Sequence, residues 1–190
     1  TALLPCLLSI INAQHRHCVF TIDSELRHFF LVKPQTLGLL FDAVQSVIFR
    51  AFFKDNKSEC STPGFILVLH TFGRDLKWNP HIHCLVSEGG IGNSGLWRPK
   101  KYFDYTFLRN AFRTALLDLM EKKLGSSFKK VKARCYKEQN IGFYVYDKTN
   151  KCNPKIVAKY IGRYLGRPVI ATSRIDRYDG ETVTFHYDVV

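Results

Sequence analysis

A chain of 190 residues with 46% hydrophobic side chains has the length and composition of one compact soluble domain with a sizeable core, not of a repeat array or a low-complexity chain. Its 28 Lys and Arg against 16 Asp and Glu leave a formal charge of +12, which suits a polyanionic partner. The apolar start from Ala2 to Ile11 is too short to span a bilayer, so no membrane partner is expected, and it lacks the basic leader and cleavage site of a signal peptide. Residues 1–17 read as an N-terminal segment, the remainder of a linker, with the domain proper over 18–190. The six cysteines include no C-x-x-C pair and favour a reducing, cytoplasmic setting, where a basic protein would associate with the nucleoid.

In chain order, Cys18 to Ile22 is expected as a strand and Ser24 opens a short helix to about Phe30. A longer helix is expected from about Thr36 to Phe53, with Leu37, Leu40, Phe41, Val44, Val47 and Ile48 on its buried side. Phe65 to Leu69 is an almost unbroken apolar run, a buried strand that ends in His70 and Thr71. Gly73, Asp75, Asn79 and Pro80 mark a turn, so the next strand, Asn79 to Val86, pairs antiparallel with it.

Side chains alternate along a strand, so His81 and His83 project together while Ile82 and Cys84 point the other way into a core. Two neutral imidazoles presented this way can bind one metal ion, although ordinary histidines on a half-buried strand give the same tripeptide. The hairpin brings His70 near them, as a third ligand or as a strand-end histidine bonded to a loop carbonyl.

Glu88 to Gly95 reads as a turn, Thr106 to Leu124 as an amphipathic helix stopped by Gly125, and Val131–Tyr136 and Ile141–Tyr146 as strands. Asn153-Pro154 starts a last helix that Gly166 and Pro168 end. On it Tyr160 and Tyr164 share one face, and Lys155, Lys159 and Arg163 form a basic line. That face is equally an ordinary amphipathic stripe. Val183 to Tyr187 closes the chain as an alternating strand. The fold class is α+β, a central antiparallel sheet flanked by helices.

The segments Leu69-His70-Thr71-Phe72-Gly73, Asn79 to Val86, and Tyr160 to Arg167, with Cys18 to Ile22 and Ser173-Arg174-Ile175, together resemble the HUH endonucleases (U is a bulky apolar residue). More closely, they are similar to the two-tyrosine transposases of rolling-circle insertion sequences. The resemblance implies that His81 and His83 bind a catalytic Mg²⁺ or Mn²⁺, with His70 as third ligand. It implies that Tyr160 and Tyr164 are paired nucleophiles that nick single-stranded DNA through a 5′-phosphotyrosine link, and that Lys159, Arg163 and Arg167 contact the DNA. Such transposases usually carry a cysteine-rich zinc module ahead of the nuclease domain. This chain lacks that cysteine pattern and begins at Thr1, so a fragment or truncated copy is expected.

Two other basic groups, Arg98 with Lys100 and Lys101, and Lys122, Lys123, Lys129, Lys130 and Lys132, are candidate phosphate contacts. Trp78, Trp97 and Phe72 are candidate stacking surfaces. Two alternatives stay open: a catalytically inactive DNA-binding remnant, and a metal-dependent hydrolase that uses water as nucleophile.

Overall fold

Strand pairing gives this chain a sheet with one face buried in the main core and a second face that carries histidine side chains. The structure, a computed structural model, describes residues 13–55, 57–58, 60–73, 75–100, 102–147, 159, 162 and 170–187. Its antiparallel strands are β1 (His15–Thr21), β2 (Thr62–Phe72), β3 (Trp78–Ile91), β4 (Trp97–Pro99) and β5 (Val145–Asp147). They run in the order β2-β3-β1-β5, with β4 added to the far end of β3. The fold is α+β, as expected from the strand and helix patterns.

One face of the sheet carries Cys18 and Phe20 from β1, Ile82, Cys84 and Val86 from β3, and Val145 from β5, all at most 1% exposed. Cys18 and Cys84 lie directly opposite each other. Burial drives the Cys84 thiol well above its ordinary pKa, so it stays protonated and inert.

Against this face pack the helices α1 (Ser24–Val32), α2 (Gly38–Asp55), α3 (Tyr105–Leu124) and α4 (Lys129–Glu138). Asp23 caps α1 by accepting from the Glu25 amide at 2.8 Å, and Asp104 caps α3 by accepting from Phe107 at 2.9 Å. Gly125, at φ +81, ends α3 and donates its amide to the Glu121 carbonyl. Phe112 of α3 meets Phe20 edge-on at 5.2 Å between ring centroids, which ties helix layer to sheet.

Among the described residues one helix, Pro34–Lys54, is apolar and long enough to cross a membrane, with mean hydropathy 1.4. Its apolarity has a nearer use: Leu40, Ala43, Val44, Val47 and Ile48 are fully buried in the core.

Three segments depart from the expected elements. Val131–Tyr136 is not a strand but the middle of α4. Its apolar residues at 131, 133 and 135 alternate with charges, yet Phe128 and Cys135, seven apart, are the pair that is buried, and this is helical spacing. Of Ile141–Tyr146 only Val145 and Tyr146 belong to a strand, because Gly142 adopts φ +88 and Phe143 donates to the Arg109 carbonyl of α3 at 3.2 Å.

Glu88 to Ile91 extends β3, and the turn is confined to the residues after it. Gly89 and Gly90 serve close packing: a Cβ on Gly89 would sit 2.3 Å from the Trp97 ring, and one on Gly90 2.6 Å from the Thr62 carbonyl oxygen. The expected closing strand is present as β7 (Val183–Phe185), paired with β6 (Ile175–Tyr178) in a separate two-stranded ribbon.

Candidate metal centre

The sheet face opposite the core carries the imidazoles. Ladder pairing sets His70 against His81 and Val68 against His83, so the two outer histidines of the tripeptide and the last histidine of β2 share that face. One nitrogen from each of His70, His81 and His83 lies within 4.8 Å of the others. The arrangement expected from the hairpin is therefore present, with Ile82 and Cys84 fully buried on the other side.

The ring nitrogens are oriented. His81 Nδ1 lies 2.6 Å from the Asn79 carbonyl oxygen, which can only accept, so Nδ1 carries the proton and Nε2 keeps its lone pair. That Nε2 faces His83 Nε2 at 3.1 Å. Two nitrogens bound to one ion at about 2.1 Å with angles of 90–110° lie roughly 3.0–3.4 Å apart, so the pair fits a shared cation. His83 Nδ1 in turn meets His17 Nε2 at 2.9 Å, and the two rings stack with centroids 5.1 Å apart. The His70 ring lies 4.1 Å from that of His83 between centroids, and the Phe72 ring runs parallel to His70 at 6.4 Å.

Electrostatics keep the cluster ready for a cation. Burial, then the neighbouring imidazoles of His70, His81 and His17, pushes His83 down to about 3. Burial, then His81 and His17, pushes His70 down to about 4. His81 is also lowered by burial, partly offset by the Asn79 carbonyl and reinforced by the Arg27 guanidinium. All three rings are therefore neutral ligands near neutral pH.

His17 is the residue that sequence reasoning missed. The strand pair β1–β3 sets Val19 against His83, which leaves His17 diagonal to it. Its signal, a His-x-His alternation at 15 and 17, becomes meaningful only once β1 is known to lie beside β3.

Other candidates fare differently. Tyr160, Arg163, Tyr164 and Arg167 lie outside the described residues, as does Lys101, while Lys159 is helical and exposed. Lys100 is a correction: it is 6% exposed, and its ammonium donates to the Ala51 carbonyl at 3.2 Å between the rings of Phe52 and Phe103. Lys132 is another, since Asp118 and Glu121 hold its ammonium at 2.6 and 2.7 Å. Trp78, partly buried, packs against the core and donates its indole N–H to the Arg27 carbonyl at 2.8 Å, and the partly buried Phe72 ring runs parallel to His70 at 6.4 Å between centroids.

The sequence of this chain has counterparts among known proteins. The family described as "Putative transposase" matches residues 64–189, a span that includes all three clustered histidines and both candidate tyrosines. The chain belongs to this transposase family. It is 27% identical to "Putative transposase y4qJ" of Sinorhizobium fredii over 94% of its own length and 49% of that protein. It is 28% identical to the "Transposase for insertion sequence element IS801" of Pseudomonas savastanoi pv. phaseolicola, over 90% of its own length and 44% of that protein. The chain thus spans about half the length of these relatives. No solved structure gives a significant match. Within the transposase family match lie β2 and β3 with their histidines, whereas His17 on β1 lies outside it.

Proposed function

We propose that this chain is the nicking and strand-transfer part of a rolling-circle transposase of the HUH type, acting on single-stranded DNA. The observation that carries the proposal is the 3.1 Å approach of His81 Nε2 to His83 Nε2, with His70 beside them on the neighbouring strand.

His70, His81 and His83 would hold one divalent ion. When bound, that ion supplies Lewis-acid neutralisation of the nonbridging phosphate oxygens. Three imidazoles suit Mn²⁺ or another transition ion better than Mg²⁺, which cellular abundance favours.

Tyr160 or Tyr164 supplies the nucleophile. A phenol has an ordinary pKa of about 10, so its proton must leave as the bond forms. The tyrosine oxygen bonds to phosphorus, the P–O3′ bond breaks, and the 3′ oxygen takes up a proton. The products are a 5′-phosphotyrosine and a free 3′-hydroxyl, which keeps the phosphoester available for religation. A second tyrosine can accept another strand while the first stays loaded. Lys159, Arg163 and Arg167, on the same segment, would neutralise neighbouring phosphates.

Incubation of the purified chain with single-stranded DNA and Mn²⁺ is expected to give a protein–DNA adduct that survives denaturation. The Tyr160→Phe, Tyr164→Phe double variant is expected to give none. Cleavage without an adduct would instead indicate a hydrolase using water, and binding without cleavage an inactive DNA-binding remnant.

A further inference from the structure

Two aromatic rings, Tyr144 just before β5 and Tyr146 within it, are exposed and lie outside the core and the histidine cluster. The rings are stacked on one another and so lie on the same side, which Tyr146 fixes by its place in the strand. That side is the histidine face: β1 pairs Val19 with Tyr146 on one flank and with His83 on the other. A second row runs parallel to the first, because the Thr21 amide donates to the Tyr144 carbonyl at 2.9 Å while Thr21 sits opposite His81.

The tyrosine rings lie 6.3 Å apart between centroids and only 21° from parallel. They remain 56% and 46% exposed. The Arg109 guanidinium of α3 stands 5.7 Å from the Tyr144 ring centroid. An exposed pair of near-parallel rings suits a ligand with flat apolar faces.

We propose that Tyr144 and Tyr146 form a stacking platform for unpaired bases of the single strand whose phosphate is cut at the histidine cluster. The inference rests on the nicking activity proposed above. Every base has a π-face, so stacking tolerates any sequence, whereas bases in a duplex already have both faces covered. The platform lies two strand spacings from the β3 histidines, roughly 10 Å, close enough for bases flanking a phosphate held there. Its charge is also suitable: Arg109 borders Tyr144, and the chain carries +12 overall, complementing the strand's phosphates.

Fluorescence anisotropy with a labelled single-stranded thymidine oligonucleotide, in metal-free buffer so that nothing is cut, tests the platform. The Tyr144→Ala, Tyr146→Ala double variant is expected to bind about 10- to 100-fold more weakly, while the matching double phenylalanine variant stays within about twofold, because the ring faces carry the contact. Tyr146→Ala alone, which leaves Tyr144 and Arg109 in place, is expected to show an intermediate loss. An abasic strand of equal length should bind wild type and the alanine variants alike.

Undiminished binding by the alanine variants overturns the proposal. So does an equal loss on the abasic strand, or a loss in the phenylalanine variant as large as in the alanine one, or an effect of the substitutions on self-association alone. Adducts formed with Mn²⁺ are scored separately. If adducts form and ring removal is silent, the platform alone fails; if the rings bind bases but no adduct forms, the nicking proposal alone fails.

Discussion

At His83 both ring nitrogens have partners: Nε2 faces His81 and Nδ1 faces His17. For Nε2 to bind a cation, the His83 proton must sit on Nδ1 and be donated to His17 Nε2, so His17 selects the tautomer that can ligate. His17→Phe preserves the bulk and stacking of the ring but deletes the acceptor. It is expected to weaken Mn²⁺ binding about 10- to 100-fold in calorimetric titration, with little change in the melting temperature of the metal-free protein and partial recovery in His17→Gln. Equal affinity in all three proteins would remove His17 from the site.

The same neutrality of the rings has a pH signature. Unfolded histidines take up protons below about 6.5, whereas folded His70 and His83 refuse them until about 4 and about 3. The unfolded chain then binds more protons than the folded one, so stability is complete above about 6.5 and declines as pH falls toward those values. Thermal melts of the metal-free protein over that window should show the decline, and His70→Gln should decline less steeply. Parallel curves would contradict the burial of a neutral His70.

Single elements are held by contacts that local sequence does not announce. Gly142 is the clearest case: at φ +88, a Cβ there would come 2.4 Å from the Arg109 carbonyl carbon. This close approach seats the segment before β5 on α3 and so sets where Tyr144 and Tyr146 emerge. Gly142→Ala is expected to cost at least about 2 kcal/mol in urea unfolding, and in the folded fraction to weaken binding of single strands more than binding of Mn²⁺. A substitution without effect on either would mean that the loop can move without disturbing β5. α4 shows the same dependence on context, since its charged residues lend an amphipathic helix the look of an alternating strand until Phe128 and Cys135 are seen buried together.

Across the whole molecule, the sheet separates packing from chemistry. Helices cover one face, while the other carries His17, His70, His81, His83 and the tyrosine pair. The net charge of +12 would make the proposed DNA binding salt-dependent, with each neutralised phosphate of a single strand expected to add about 0.7 to the log–log slope. Lys159→Ala should lower that slope by about one contact, because Lys159 is exposed beside the candidate nucleophiles. Lys100→Met should leave it unchanged, because the Lys100 ammonium is committed to the Ala51 carbonyl. Binding titrations from low to physiological salt check both, and a slope that drops with Lys100→Met would contradict its burial.

The mixed α+β class, the glycine stop of α3 and the histidine hairpin could all be read from the chain alone. Each depends on periodicity, capping residues or turn chemistry acting over a few neighbouring residues, and His70 lies only eleven positions from His81. The second support of His83 and the tyrosine platform could not, because both require β1 to run between β3 and β5, strands far from it in sequence. The buried lysine is of the same kind. Which distant strands become neighbours is decided by how the whole set of apolar faces is buried at once, and that is a property of the folded chain.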